Sequence, residues 1–183
     1  MPKTLLTYYV ATSLDGFIAT PDGGVDWLAP FEGGGEDYGY AAFYGGIDAV
    51  VMGSGTYRVS LGFGQWPHAD RPVWVMSSRE LDTPAADVTV TPLSPPELMA
   101  ELAGQGMAHV WLVGGGLVAA DFRQHGLIDE YVVSIIPVLL GTGIPLVGHS
   151  GEQEQLELVE SRTYPSGIVQ LRYRRLDPDT DLS

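Results

Sequence analysis

The sequence predicts an α/β domain: a mostly parallel sheet with helices on both faces, made mixed by a terminal antiparallel hairpin. Apolar strand candidates alternate with helical stretches as far as residue 140, and such alternation needs crossover connections and therefore parallel pairing. The last two segments instead alternate apolar and polar residues about Pro165-Ser166-Gly167, the pattern of a hairpin with one wet face. Three strand ends carry small or hydroxyl residues, at Gly53-Ser54-Gly55-Thr56, Ser77-Ser78-Arg79 and Gly114-Gly115-Gly116, and ligands of parallel sheets bind beyond such ends.

Taken in order, Leu5–Ala11 is the first buried strand, Asp15-Gly16 a turn and Phe17-Ile18-Ala19 a short continuation. The Gly-, Pro- and acid-rich stretch from Thr20 to about Asp37 is long enough for a functional lid. Tyr38–Tyr44 is a short helix stopped by Gly45-Gly46, and Asp48–Met52 the next strand, leading through the glycines to a helix from Tyr57 to about Leu61. Val73–Met76 and Val88–Val90 are strands, and Pro95–Ala103 is a helix with proline in its first turn. Val110–Val113 is a central strand, its helix runs from about Leu117 to His125, and Tyr131–Leu140 is a long apolar strand. Leu156–Ser161 and Ile168–Arg175 form the hairpin.

A chain of 183 residues fits one domain, spanning 1–183 with 176–183 a loose tail in which Asp177, Asp179 and Asp181 have no assigned role. A hydrophobic content of 45% argues against disorder. No apolar run reaches the length of a membrane span and no signal-peptide pattern opens the chain, so a cytoplasmic protein is expected. Cysteine is absent, which excludes disulfides and thiol chemistry. His68, His109, His125 and His149 have no metal-site spacing, so no metal is expected. A net charge of −14 makes nucleic acid and anionic membranes poor partners, because binding phosphate on that scale needs clustered Lys and Arg. An anionic ligand must then be held by backbone amides, hydroxyls and a few placed arginines.

The strand, three glycines and helix opening at 109–122 suit that task. Residues without Cβ let the backbone approach a ligand, and the amides and dipole of the helix attract negative charge. The same pattern also serves a tight strand-to-helix turn with no ligand. Gly114-x-Gly116-x-x-Ala119 formally matches the Rossmann fingerprint, but that motif belongs after the first strand, with an acid ending the next strand about 20 residues on. Here the glycines come late, and Asp129-Glu130 precedes a strand instead of ending one.

Thr12-Ser13-Leu14-Asp15-Gly16-Phe17-Ile18-Ala19, Asp22-Gly23-Gly24-Val25-Asp26-Trp27-Leu28, Val51-Met52-Gly53-x-x-Thr56-Tyr57, Gly126-Leu127-Ile128-Asp129-Glu130 and Pro137-Val138-Leu139-Leu140-Gly141-x-Gly143, in this order, resemble the dihydrofolate-reductase-like fold. The branch they resemble is the reductase domain of RibD-type riboflavin-biosynthesis proteins and its stand-alone relatives. The resemblance implies a hydride-transferring, NADPH-dependent oxidoreductase of a small heterocycle, the nearest named substrate being 5-amino-6-ribosylaminouracil 5′-phosphate. Dihydrofolate reduction, and a nucleotide-binding or sensing protein without turnover, are the alternatives.

By the same resemblance Gly114, Gly115, Gly116 and the amides of Leu117 and Val118 hold the pyrophosphate. Gly53, Ser54, Thr56, Ser77, Ser78 and Arg79 flank the adenosine phosphates. Ser54-Gly55 departs from the basic residues usual there, which leaves Arg79 to read the 2′-phosphate and keeps NADH as an option. Ala11 and Ile18 line the nicotinamide side of the substrate pocket, and Asp15 is the first choice for a polar group at the reacting centre, or else an Asx-turn residue. Trp27 is a lid residue or a pin for the loop, Asp26 a substrate contact, and Glu36 or Asp37 lies near where folate reductases keep their carboxylate, or else serves as a helix N-terminal acid. Two departures bear on the substrate: Gly114 stands where the RibD type often has Glu, and 29–40 lacks basic residues for a ribose phosphate. Relatives pair through the region of 131–140 and the hairpin, which implies a homodimer.

Overall fold

The computed structural model describes residues 3–82, 87–149, 151 and 153–176; the acidic tail at 177–183 lies outside them. The strands are β1 Leu5–Ser13, β2 Phe17–Ala19, β3 Ala49–Gly53, β4 Val73–Met76, β5 Val88–Thr91, β6 His109–Gly114, β7 Glu130–Ile136, β8 Ile144–Pro145, β9 Leu156–Thr163 and β10 Val169–Arg175. The helices are α1 Tyr40–Gly45, α2 Ser54–Leu61, α3 Pro95–Gly104 and α4 Gly116–Gln124.

Eight strands form one sheet in the order β5-β4-β3-β6-β1-β7-β10-β9, and β2 with β8 forms a small second sheet. From β5 to β7 every pairing is parallel, while β10 runs antiparallel to both β7 and β9. The order follows from apolar β3, β6 and β1, which stay buried only in the middle of the sheet. One face buries Leu6, Tyr8, Val51, Leu98, Leu102, Leu112 and Phe122 under α3 and α4. The other buries Val50, Met52, Val73, Val75 and Trp111 beneath residues of α1 and α2, among them Phe43, Tyr44 and Tyr57. Helices thus cover both faces.

Three expectations need correction. The apolar run 131–140 is not one long strand: β7 ends at Ile136, because Pro137 has no amide to continue the ladder. A tight turn follows, with Val138 N donating to the Ile136 carbonyl at 2.7 Å, and the chain stays beside β1, with Leu14 N donating to the Val138 carbonyl at 2.8 Å. The hairpin does not have a single wet face, since every residue of β9 is exposed. An outermost strand has no cover on either side unless something else supplies it. The lid segment is also less irregular than expected, for Asp26–Phe31 forms a short 3-10 helix. The two-residue β8, paired to β2 through Phe17 and Ala19, escapes sequence reading altogether.

Candidate functional site

The carboxyl ends of β1, β3, β4 and β6 lie at one edge of the sheet, and part of the expected set gathers there. β6 ends at Gly114, whose φ of 129° only glycine adopts without strain, and the peptide to Gly115 is cis. Gly53, at the end of β3, lies directly beside this turn: a Cβ on it would sit 2.7 Å from a Val118 methyl and 3.8 Å from the Gly114 oxygen. A Cβ on Gly115 would lie 3.5 Å from the Thr56 hydroxyl and 3.9 Å from Ile18 Cδ1. Gly53, Thr56, Ile18, Gly114, Gly115 and Val118 therefore form one cluster. Gly116 is packed from behind, where a Cβ would come 2.2 Å from the Pro145 oxygen.

Gly115 caps α4 without any side-chain hydrogen bond to its first turn. The amides of Gly116, Leu117 and Val118 have no acceptor within the helix, by helix geometry. They are the oriented donors that an anion needs. Leu117 is 82% exposed beside them.

From this turn a groove of about 290 Å³ runs outward. Met76, Ser77, Ser78, Thr91, Pro92 and Leu93 line one side, and Leu117, Val118 and Asp121 the other. The Ser77 hydroxyl is consumed by a turn, accepting from Arg79 N at 3.0 Å and donating to the Arg79 carbonyl at 2.9 Å. Ser78 and the Arg79 side chain are left exposed, and among the described residues Arg79 makes no ion pair. Ser54 opens α2 next to Gly53 and is half-buried. A larger depression of about 400 Å³, at the far end of α4, is lined by Arg123, Gln124, Gly126, Gly151, Gln153 and Glu154 and contains none of the expected residues.

Ala11 lies on the other side of the cluster. It pairs with Ser134 of β7, which pairs with Gln170 of β10, so the three form a row on one face. Tyr9, two residues back, shares that face and stacks on Phe43 of α1 at 4.3 Å. Gln170 Nε2 donates to Ser134 Oγ at 3.0 Å, to the Tyr38 carbonyl at 3.1 Å and to Tyr9 Oη at 3.4 Å. Burial pushes the Tyr9 hydroxyl up to about 12, so it keeps its proton at neutral pH. This uncharged row of Tyr9, Ser134 and Gln170 was missed by sequence reading. Only strand register brings it together, so no local signal marks it.

The acids fare differently. Asp15 is exposed and both its oxygens are engaged: Ser13 Oγ donates at 2.6 Å, Leu140 N at 3.0 Å and Gly141 N at 2.7 Å. The Ser13 hydroxyl, with the two amides, holds its carboxyl below the usual range. That favours the ionised form, the reverse of what a proton donor needs, and matches the turn role. Asp37 accepts from Gly39 N at 3.0 Å and Ala41 N at 3.1 Å, and these amides lower its pKa too. Glu36 accepts from Tyr38 N at 3.2 Å. Asp37 thus has both oxygens engaged by amides at the start of α1, and Glu36 has one engaged just before it, as the helix N-terminal reading expects. Asp26 opens the 3-10 helix and is exposed, while the buried Trp27 Nε1 has no partner among the described residues.

The RibD C-terminal domain family matches residues 4–170, which include this whole edge of the sheet. The chain belongs to that family. Family membership and fold make it a reductase-type protein, with the dihydrofolate-reductase-like architecture that the motif order implied. Its similarity extends to YwjB of Bacillus subtilis (strain 168), an uncharacterized protein 36% identical over 94% of this chain and 98% of the relative. The crystal structure of a protein named for riboflavin biosynthesis from Shewanella sp. PV-4 superposes with a TM-score of 0.87 at 30% identity, covering 94% of this chain and 99% of that one. Dihydrofolate reductase from Enterococcus faecalis, solved with NADP(H), shares the fold at a TM-score of 0.68 and 20% identity, over 94% and 97% of the two chains.

Within the described residues of this family member no helix is long and apolar enough to cross a membrane, and no three His, Asp or Glu side chains cluster as a metal site. The four histidines are dispersed. His109 bonds Thr7 and the Gly46 carbonyl, and His68 is buried among aromatic rings.

Proposed function

We propose that the chain is an NADPH-dependent reductase of a small heterocyclic substrate, related in reaction type to 5-amino-6-(5-phosphoribosylamino)uracil reductase. The observation that carries this reading is the cluster at the carboxyl edge, where Gly53, Thr56 and Ile18 surround the Gly114–Gly115 turn and uncapped amides open α4. The residues present fit a dinucleotide. Gly114 and Gly115 have open space or ordinary contacts where a Cβ would stand, so a pyrophosphate can approach their backbone and accept from the amides of Gly116, Leu117 and Val118. The groove accepts the adenosine, with Ser54, Ser78 and Arg79 near its phosphates.

The nicotinamide supplies the hydride when bound, and the protein must place it and exclude water. Ala11, lacking bulk, and Ile18 form the wall on that side. Asp15 and Asp37, held ionised by their hydrogen bonds, do not store the accompanying proton. The Tyr9 and Ser134 hydroxyls are the uncharged groups on the Ala11 face, and Tyr38, whose carbonyl accepts from Gln170, lies beside them. The same engagement of Asp15 and Asp37 favours one second reading, a nucleotide-binding protein without turnover.

Titration with NADPH tests the first reading. Nicotinamide fluorescence should rise and the protein should resist thermal unfolding, followed by NADPH consumption with 5-amino-6-ribosylaminouracil 5′-phosphate or dihydrofolate. Absence of any response at millimolar cofactor refutes the proposal. Binding without consumption of either substrate moves the assignment to the second reading.

A further inference from the structure

We propose that Asp121 selects the adenine base by accepting a hydrogen bond from its exocyclic amine. The inference rests on the dinucleotide reading above and adds to it the residue that reads the base. The groove beyond the α4 turn has apolar side chains on both sides, Met76, Pro92 and Leu93 on one and Leu117 and Val118 on the other, against which the faces of a planar ring can pack, with Ser77, Ser78 and Thr91 among them. Its size, about 290 Å³, suits a nucleoside and not a whole dinucleotide. The polar edge of that slot on the helix side is the Asp121 carboxylate.

Position along the helix separates base from phosphate. Asp121 lies five residues beyond Gly116, about 7.5 Å along the axis at 1.5 Å per residue. From the three amides that take the pyrophosphate the distance is about one turn on average, and Asp121 is on the face of Leu117 and Val118 by the i+4 and i+3 rule. A carboxylate only accepts hydrogen bonds, and of the dinucleotide's groups at that distance the exocyclic amine only donates. His125 leaves the carboxylate available: its Nδ1 sits 2.9 Å from the Asp121 carbonyl oxygen and 3.5 Å from Oδ1, leaving Oδ2 with no partner among the described residues. Arg79, the proposed phosphate reader, lies on the exposed turn after β4, three residues beyond Met76, so the acid that reads the amine and the base that reads the phosphate stand on different elements.

The test compares NADPH with its hypoxanthine analogue, in which a carbonyl oxygen replaces the amine, by nicotinamide fluorescence on the full chain. The wild type should bind the analogue about tenfold more weakly, the scale of one charge-assisted hydrogen bond. Asp121→Ala should weaken NADPH to the level of the analogue and leave the analogue unchanged, while Asp121→Asn, whose amide oxygen still accepts, should retain part of the preference. Thermal melts of each variant confirm folding, and the wild-type comparison stands without any variant. Equal affinities in the wild type, or equal weakening of both ligands by Asp121→Ala, overturn the assignment. Tighter NADPH binding by Asp121→Ala also overturns it, by showing that the carboxylate faces the 2′-phosphate. If neither dinucleotide binds the wild type, the dinucleotide reading falls and this one with it; if both bind alike, only this one falls.

Discussion

Replacing Gly116 by alanine should damage the site from behind, through packing and not through loss of a ligand contact. The added Cβ would stand 2.2 Å from the Pro145 carbonyl oxygen, so one backbone must retreat by about 1 Å to reach an ordinary contact. Neither is free to do so. The Gly116 carbonyl accepts from Gly148 N at 3.0 Å, and Pro145 is paired to Phe17 in the small sheet. Overpacking of this kind costs about 1–3 kcal/mol, and the alanine recovers less than about 1 kcal/mol of helix propensity at the start of α4. A net loss of about 2 kcal/mol corresponds to a drop of roughly 4–8 °C in Tm for a chain of this size. Because the retreating backbone carries the amides of the first α4 turn, NADPH affinity should fall as well, by about tenfold. Gly55→Ala is the matched control, since nothing lies within 4 Å of its Cβ and it sits in the exposed first turn of α2. It should be neutral or stabilising by up to about 1 kcal/mol. Urea melts followed by circular dichroism, with cofactor titration, decide the matter. If the two variants melt alike, the close approach of Gly116 to Pro145 is not a packing constraint and the reasoning fails.

On the proposed reading, Arg79→Ala should weaken NADPH by about one to two decades while leaving NADH nearly unchanged, because the exposed guanidinium, which makes no ion pair among the described residues, is the proposed partner of the 2′-phosphate; equal weakening of both removes Arg79 as the phosphate reader. His68 is 4% exposed among Tyr44, Trp66 and Trp111, and burial depresses its pKa to about 4, with Asp70 partly opposing. A folded pKa below the ordinary 6.5 means that folding excludes the proton. This contribution to stability is therefore complete above about pH 6.5, declines as pH falls to 4 and levels off below, by at most about 3 kcal/mol. His68→Phe should flatten that part of the pH profile in urea melts, and an unchanged slope would assign it to other groups. Leu158, 52% exposed, and Val159, 40% exposed, on the uncovered edge β9 fit the homodimer that we propose. Light scattering at micromolar protein should give twice 19.6 kDa, and a single-chain mass would refute it.

Much of the fold was legible because its signals are local. Val73–Met76 matches its strand to the residue, since a short apolar run between turn residues specifies a buried strand wherever it lies. The glycine turn of 114–116 was readable for the same reason: absence of Cβ is a property of the residue. The helix expected at Pro95–Ala103 was readable from the proline in its first turn and is observed at Pro95–Gly104, where Ser94 and Glu97 add a capping box with Ser94 N donating to Glu97 at 2.9 Å. Motif order along the chain then pointed to the architecture.

Tertiary structure decided what depends on partners distant in sequence. Asp15 is catalytic or structural according to whether its oxygens are free, and the backbone that occupies them comes from Leu140 and Gly141, more than a hundred residues away. Ala11, Ser134 and Gln170 become neighbours only through the register of three strands. Asp121 lines a groove only because β4 and β5 end opposite α4. Sequence by itself determined the segments and the turn chemistry, because these follow from conformational preferences of neighbouring residues. The site's polar groups were settled by long-range pairing, because whether a carboxylate or hydroxyl is free to act depends on which hydrogen bonds the folded chain has already made with it.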